Sequence, residues 1–306
     1  MTEPYSAPAA PLPFGILIDE AMRHSRRHWR TILPAVAVPV ALLAGATASL
    51  QAFNFQGFFG SIGSGGGEPN PFAMWSPGLI VLTLLYMLVL ALASTVTAFA
   101  ITDALSGRTV AMADAWASAV KPRVLGTVVL TGLAVLASVA CCCLPVLYVA
   151  PLLSLTSVAM RAERVYGTTA LARSAELTQY NPTGNFLETA LVKVLGVMVI
   201  GIVLSYVVSL IVALPFQLPM YINLWRQASS GEAPNLEAMG SMMWLQVPAQ
   251  VVSSLVSMAL SLYLGFCTAM LFFDARNRKE GTDLRQAMDQ VFAPPPPPGP
   301  GPGAAP

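Results

Sequence analysis

The chain has 306 residues, 55% of them hydrophobic and only 10% charged, where soluble domains carry about a quarter charged residues; its mean hydropathy is +0.65. Its 16 Lys and Arg nearly cancel its 15 Asp and Glu, leaving a net charge of +1. That balance excludes a basic nucleic-acid binder, and the long apolar runs exclude an intrinsically disordered or disulfide-stapled secreted chain.

Residues 1–13 are rich in Pro and Ala, with no basic n-region or cleavage pattern, and read as a disordered cytoplasmic tail ahead of an uncleaved first span. Next, Phe14, Leu17, Ile18, Ala21, Met22, Ser25 and Trp29 recur at helical spacing, with Asp19, Glu20, Arg23, Arg26 and Arg27 on the other face. Such a pattern predicts an amphipathic helix lying flat at the headgroup level. A bilayer core of roughly 30 Å needs about 20 apolar residues, and residues 31–52, 77–102, 189–213 and 245–273 each supply them. Residues 124–160 are too many for one crossing and hold Cys141, Cys142, Cys143, Leu144 and Pro145 at their middle. Proline removes a helical hydrogen bond and crowds the preceding turn, so this stretch splits into spans 124–142 and 145–160. The expected fold is therefore all-α: a polytopic membrane domain over residues 14–292 with six transmembrane helices and amphipathic interfacial helices. Residues 293–306 form a Pro/Gly-rich disordered tail.

Basic residues are retained on the cytoplasmic side. With six spans and the N-terminus inside, every Lys and Arg except Arg226 falls in an inner segment, out of 16 in all. This arrangement predicts a multi-pass protein of a bacterial cytoplasmic membrane with both termini cytoplasmic.

Three exits from the membrane share an order of features: Asp103 then Gly107, Glu163 then Gly167, and Asp274 then Gly281, each leading into an amphipathic run. The runs are 110–120, 169–178 and 284–291. A threefold internal repeat of one flat helix and two spans accounts for this; the competing reading is that interfacial turns attract glycines and acids in any such protein. Glycine tolerates positive φ, so these three are expected to separate spanning from amphipathic helices.

Three segments resemble a known family: Phe14-Gly15-Ile16-Leu17-Ile18-Asp19-Glu20-Ala21 running into Arg27-His28-Trp29-Arg30, Leu144-Pro145-Val146-Leu147-Tyr148 leading to Ala170-Leu171-Ala172-Arg173-Ser174-Ala175-Glu176-Leu177-Thr178, and Leu271-Phe272-Phe273-Asp274-Ala275-Arg276. Over residues 14–290 the chain resembles bacterial integral membrane proteins related to the membrane domain of glycerophosphoryl diester phosphodiesterase. The triple cysteine and the Gly-rich loop at 63–67 depart from that pattern. The resemblance implies a location and a fold; the soluble catalytic domain of that enzyme is expected to be absent, and its reaction with it.

Helices in lipid pack through small side chains. Gly201, Ser205, Ser209 and Ala213 recur every fourth residue, as do Ser253, Ser257, Ser261, Gly265 and Ala269, and the two stripes are expected to face each other. Phe53, Phe55, Phe58, Tyr221, Trp225 and Trp244 read as an aromatic belt at the outer surface.

Chemistry is harder to find. His24 and His28 share a helical face, but Arg23, Arg26, Arg27 and Arg30 surround them, so a cation site is disfavoured by repulsion. The four arginines instead suit anionic headgroups, at roughly 1 kcal/mol per basic residue near the surface. Cys141, Cys142 and Cys143 point in different directions on a helix and read as structural, with Cys267 expected too far away to pair with them. No ionisable residue is expected mid-span, and no P-loop, nucleophile elbow or zinc-protease motif occurs. The expectation is a non-enzymatic membrane protein without metal or cofactor that organises lipids or a membrane or cytoplasmic protein partner. The alternative is a transporter or lipid translocator with a path lined by Ser, Thr, Tyr206 and Tyr263.

Overall fold

The computed structural model describes residues 13–63, 76–140, 145–180, 189–230 and 240–281. These residues build helices and no strand. In chain order they are α1 (Phe14–Gly63), α2 (Pro77–Leu105), α3 (Met112–Ala119), α4 (Pro122–Ala140), α5 (Val146–Leu153), α6 (Thr156–Ala162), α7 (Thr168–Thr178), α8 (Ala190–Ser230) and α9 (Gln246–Glu280). A 3₁₀ turn, Met243–Leu245, leads into α9. Among the described residues five helices, α1, α2, α4, α8 and α9, are long and apolar enough to cross a membrane. The predicted span 145–160 is instead two short apolar helices, α5 and α6, separated at Ser154 and Leu155.

α1, α2 and α9 form the centre, with α8 against α9 and α4 at the periphery. The core is uneven along its height. On α2 every buried residue lies from Leu92 to Leu105, and Phe99, Ile101, Leu105, Phe266, Met270 and Phe272 are sealed from solvent. Leu133 and Leu136 of α4 and Ile202 and Ile211 of α8 are exposed. Such apolar faces are unfavourable in water and at home against lipid chains.

Two corrections concern α1 and α8. The amphipathic N-terminal segment is no separate flat helix, because α1 runs unbroken for 50 residues from Phe14 through Pro34 and Pro39. Its apolar stripe is used inside the protein: Leu17 and Ala21 are fully buried in the common core, and the Phe14 ring lies against Gly196 of α8. Likewise α8 continues beyond residue 213 through Pro215 and Pro219 to Ser230.

Proline costs a helix one hydrogen bond, and α1 recovers one such loss from a neighbour. Pro39 has no N–H to give the carbonyl of Ala35, and the Trp116 indole of α3 donates to that carbonyl at 3.3 Å. At the break between α5 and α6 the Ser174 hydroxyl donates to the Leu152 carbonyl at 2.5 Å. These two bonds tie α3 to α1 and α7 to α5.

Gly107, Gly167 and Gly281 have φ of 71°, 65° and 58° and are the positive-φ glycines among the described residues, as their place between elements required. At Gly107 the amide donates to Ala104 and the Arg108 amide to Asp103 at 2.9 Å, a paired closure that satisfies the last carbonyls of α2. Gly281 caps α9 in the left-handed conformation, while the Gly167 amide donates to the Thr127 hydroxyl of α4 at 2.7 Å. The amphipathic run 284–291, the two tails, and Cys141, Cys142 and Cys143 lie outside the described residues.

Candidate functional site

The exit acids and their partners gather at one end of the bundle, here the charged end. Asp103 is buried on α2 and takes the Arg161 guanidinium of α6, whose Nε lies 3.0 and 3.1 Å from its two oxygens. Arg161 also sits over the Phe99 ring, at 5.5 Å, and Arg108 approaches Asp103 at 3.7 Å. Glu163 accepts from Arg173 of α7 at 2.8 Å and faces Arg276 of α9 at 3.4 Å. Arg173 further contacts Glu176 and Glu280, and Lys279 contacts Glu176. Asp274 accepts from Arg278 one turn along α9, at 2.7 Å. Each exit acid therefore meets an arginine, and two of the three pairings join different helices. Burial pushes the Glu280 carboxyl up, but hydrogen bonds from Arg276 and Arg173 outweigh it and hold that carboxyl below the usual range. The cluster is a self-neutralising clamp.

Arg23, Arg26, Arg27 and Arg30 differ from this cluster. At spacings of three, four and seven they share one face of α1, opposite the stripe of Leu17, Ala21, Ser25 and Ile32 that is buried in the bundle. All four are exposed. Arg23 pairs with Glu20 on its own helix at 3.2 Å, and Arg26, Arg27 and Arg30 make no ion pair among the described residues. His24 and His28 both stack on Phe266 of α9, with ring centroids 6.2 Å away. Burial lowers both imidazole pKa values, against the pull of Glu20 on His24 and with that of Arg27 on each. Gly265 abuts Ile101 of α2, so the arginine row stands level with the Asp103–Arg161 pair. Among the described residues no group of three His, Cys, Asp or Glu could hold a metal ion.

Against known families, curated proteins and solved structures, the chain matches none.

The glycines of the two small-residue stripes meet large side chains of different helices. A Cβ on Gly201 would stand 2.5 Å from Leu264 of α9, which places that glycine against α9. One on Gly265 would stand 2.7 Å from Ile101, so Gly265 admits α2 and not α8. A stripe with a four-residue step winds around its helix, and its ends reach different neighbours. Ser205, Ser209, Ala213, Ser253, Ser257 and Ser261 are half-buried and Ala269 is buried.

At the opposite end, the glutamine end, α1, α2 and α9 line an open cavity of about 290 Å³. Its polar lining is Thr47, Gln51, Tyr86, Gln246 and Gln250, over a floor of Ala44 and Ala48. Tyr86 interacts with Gln250 across it. Nothing in the charge pattern of the spans marks these residues, because glutamine carries no charge. The signal was present in Gln246 and Gln250, four apart on one face of an apolar helix. Tyr206, expected on a polar path, is 71% exposed on α8 instead, and Tyr263 is half-buried beside Cys267.

Proposed function

We propose that the chain is a non-catalytic integral protein of a bacterial cytoplasmic membrane that holds anionic lipids, or a partner protein docked among them, at the cytoplasmic surface. The observation carrying this reading is the row Arg23, Arg26, Arg27 and Arg30, exposed on the face of α1 turned away from the bundle. The arginines of the clamp are spent on carboxylates of this same chain. Of the row only Arg23 has such a partner, Glu20 on its own helix, and at roughly 1 kcal/mol per basic residue the row supplies a usable attraction to anionic headgroups.

In this reading the charged end is cytoplasmic, both termini lie on that side, and α5 with α6 make the sixth crossing. Support comes from the chain path: α4 leaves the charged end at Pro122, and Arg161 at the end of α6 is back beside Asp103. The positive-φ glycines after each exit support three similar turns, while the unbroken α1 gives the threefold repeat no separate flat helix in its first copy. The family resemblance adds a location but no residue roles.

The test uses the full-length protein, extracted into nanodiscs from membranes and analysed for retained lipid. A variant with all four arginines changed to glutamine is expected to lose at least half of the anionic lipid that the parent retains. Equal retention overturns the proposal. A second reading, transport, draws on the cavity at the glutamine end. Against it, the layer beneath that cavity is closed by Val40, Ala93, Val96, Met258 and Leu262, all buried.

A further inference from the structure

Polar side chains facing the membrane interior are costly unless partnered, so a cluster of them marks a place that receives something polar. At the glutamine end, Gln51 and Thr47 from α1, Tyr86 from α2, and Gln246 and Gln250 from α9 converge on one cavity. Its lining includes no charged side chain among the described residues. A second chamber of about 440 Å³ lies between α1 and α2 and shares Thr47, Gln51 and Tyr86 with the first. The rest of that chamber is nearly all apolar, with Phe55, Leu79, Ile80, Leu84 and Met87 along it. One pocket of hydrogen-bonding groups thus opens sideways into one apolar groove.

We infer that the two chambers bind a glycolipid in the leaflet opposite the charged end, with one uncharged sugar in the glutamine pocket and an acyl chain in the groove. The donor set selects the head. Each glutamine amide offers two donors and an acceptor and the Tyr86 hydroxyl does both, while the Thr47 hydroxyl donates to the Leu43 carbonyl and can still accept; such a set matches sugar hydroxyls that also donate and accept. A phosphate only accepts, and here it would bring a negative charge to a pocket with no cation to meet it. The bare hydroxyl of a diacylglycerol offers one donor and one acceptor, too few for the amides of Gln51 and Gln246 alone, each with two donors and an acceptor. Size agrees: the cavity of about 290 Å³ has room for about ten water-sized groups, the scale of one sugar ring. So does depth, because Ala44 on the floor is seven residues, or about 10 Å, below Gln51. This site does not depend on the arginine row, which lies at the other end of α1, and either could fail alone.

The test places the full-length protein in phosphatidylcholine nanodiscs with three photoactivatable lipids of identical chains: monoglucosyl diacylglycerol, diacylglycerol and phosphatidylglycerol. The glucosyl lipid is expected to label peptides covering residues 47–55 and 79–87 saturably, at least fivefold above the other two. The double variant Gln246→Leu/Gln250→Leu should abolish that preference while helical content and elution volume are unchanged. Should that variant misfold, Leu84→Trp, on the exposed side of the groove, should reduce the same labelling by blocking the chain. Equal labelling by all three lipids shows a lipid annulus only and overturns the inference. So does preference for phosphatidylglycerol or diacylglycerol, or glucosyl labelling that survives the substitutions.

Discussion

The two ends of the central trio α1, α2 and α9 solve the problem of polarity in a membrane differently. At the charged end carboxylates meet guanidiniums, two of the three exit acids across helices, and the apolar layer beside them is closed by Phe99, Phe266 and Phe272. At the glutamine end the polar groups are neutral and surround open space. The lesson is that charge forces its own neutralisation, because an unpaired buried ion is far costlier than an unpaired amide. Amides can be left facing a cavity and so remain available for a ligand.

Four substitutions or conditions test that contrast. The largest effect belongs to Asp103→Ala, which leaves the Arg161 guanidinium without its carboxylate in a site where Asp103 is 5% and Arg161 24% exposed. Removing one partner of a buried pair costs about 3–5 kcal/mol, and the lower figure applies with Arg161 partly solvated. Thermal melting in detergent should show a loss of about 3 kcal/mol, whereas Gln250→Leu should change melting little. Comparable losses at both sites would erase the distinction between the ends.

Gly265→Ile comes next. Its new side chain would collide with Ile101, and overpacking costs about 1–3 kcal/mol. Gly132→Ile, on α4 with nothing within 4 Å of its Cβ position, serves as the tolerant control. Should both melt alike, the close approach of α2 and α9 does not exist.

Trp116→Phe keeps the ring but removes the N–H that serves the Ala35 carbonyl. The carbonyl opposite Pro39 is then orphaned, at a cost of about 1–2 kcal/mol, measurable by the same melting. No loss would mean that water replaces the indole.

The smallest effect is with pH. His24 and His28 have folded pKa values lowered by burial, so the unfolded chain binds protons more readily. Their contribution to stability is complete above the unfolded pKa of about 6.5 and is lost as pH falls below it towards the folded values. Melting temperature should therefore decline from about pH 6.5 downward, and His24→Gln/His28→Gln should flatten the first part of that decline. A slope identical in the variant removes the histidines from the account.

Much of the fold was legible because it rests on one-dimensional signals. Uncharged runs placed α2, α4, α8 and α9 to within a few residues at most of their starts, and glycine at Gly107, Gly167 and Gly281 marked the turns that positive φ requires. What was not legible depends on which helix stands beside which. The apolar stripe Leu17–Ala21 looks the same whether it lies on lipid or on α9, and only the contact with the bundle decides between them. Likewise a four-residue stripe identifies a packing surface without its partner, so Gly265 went to Ile101 and not to α8. The acids Asp103, Glu163 and Asp274 were visible as exits, and Arg278 stands one turn from Asp274, but the pairing of Asp103 with Arg161 and of Glu163 with Arg173 is a fact of folding. The glutamine cavity was hidden for a chemical reason: its side chains are polar without charge, and three helices contribute to it.

The central claim is that the charged end faces the cytoplasm and the glutamine end the opposite side. In a cysteine-free background, single cysteines at Arg108 and Arg164 on the charged end, and at Gly57 and Ser229 on the other, should be probed with a membrane-impermeant maleimide on intact cells. The account predicts labelling at Gly57 and Ser229 at once and at Arg108 and Arg164 only after permeabilisation. Labelling of Arg108 or Arg164 from outside intact cells would contradict it.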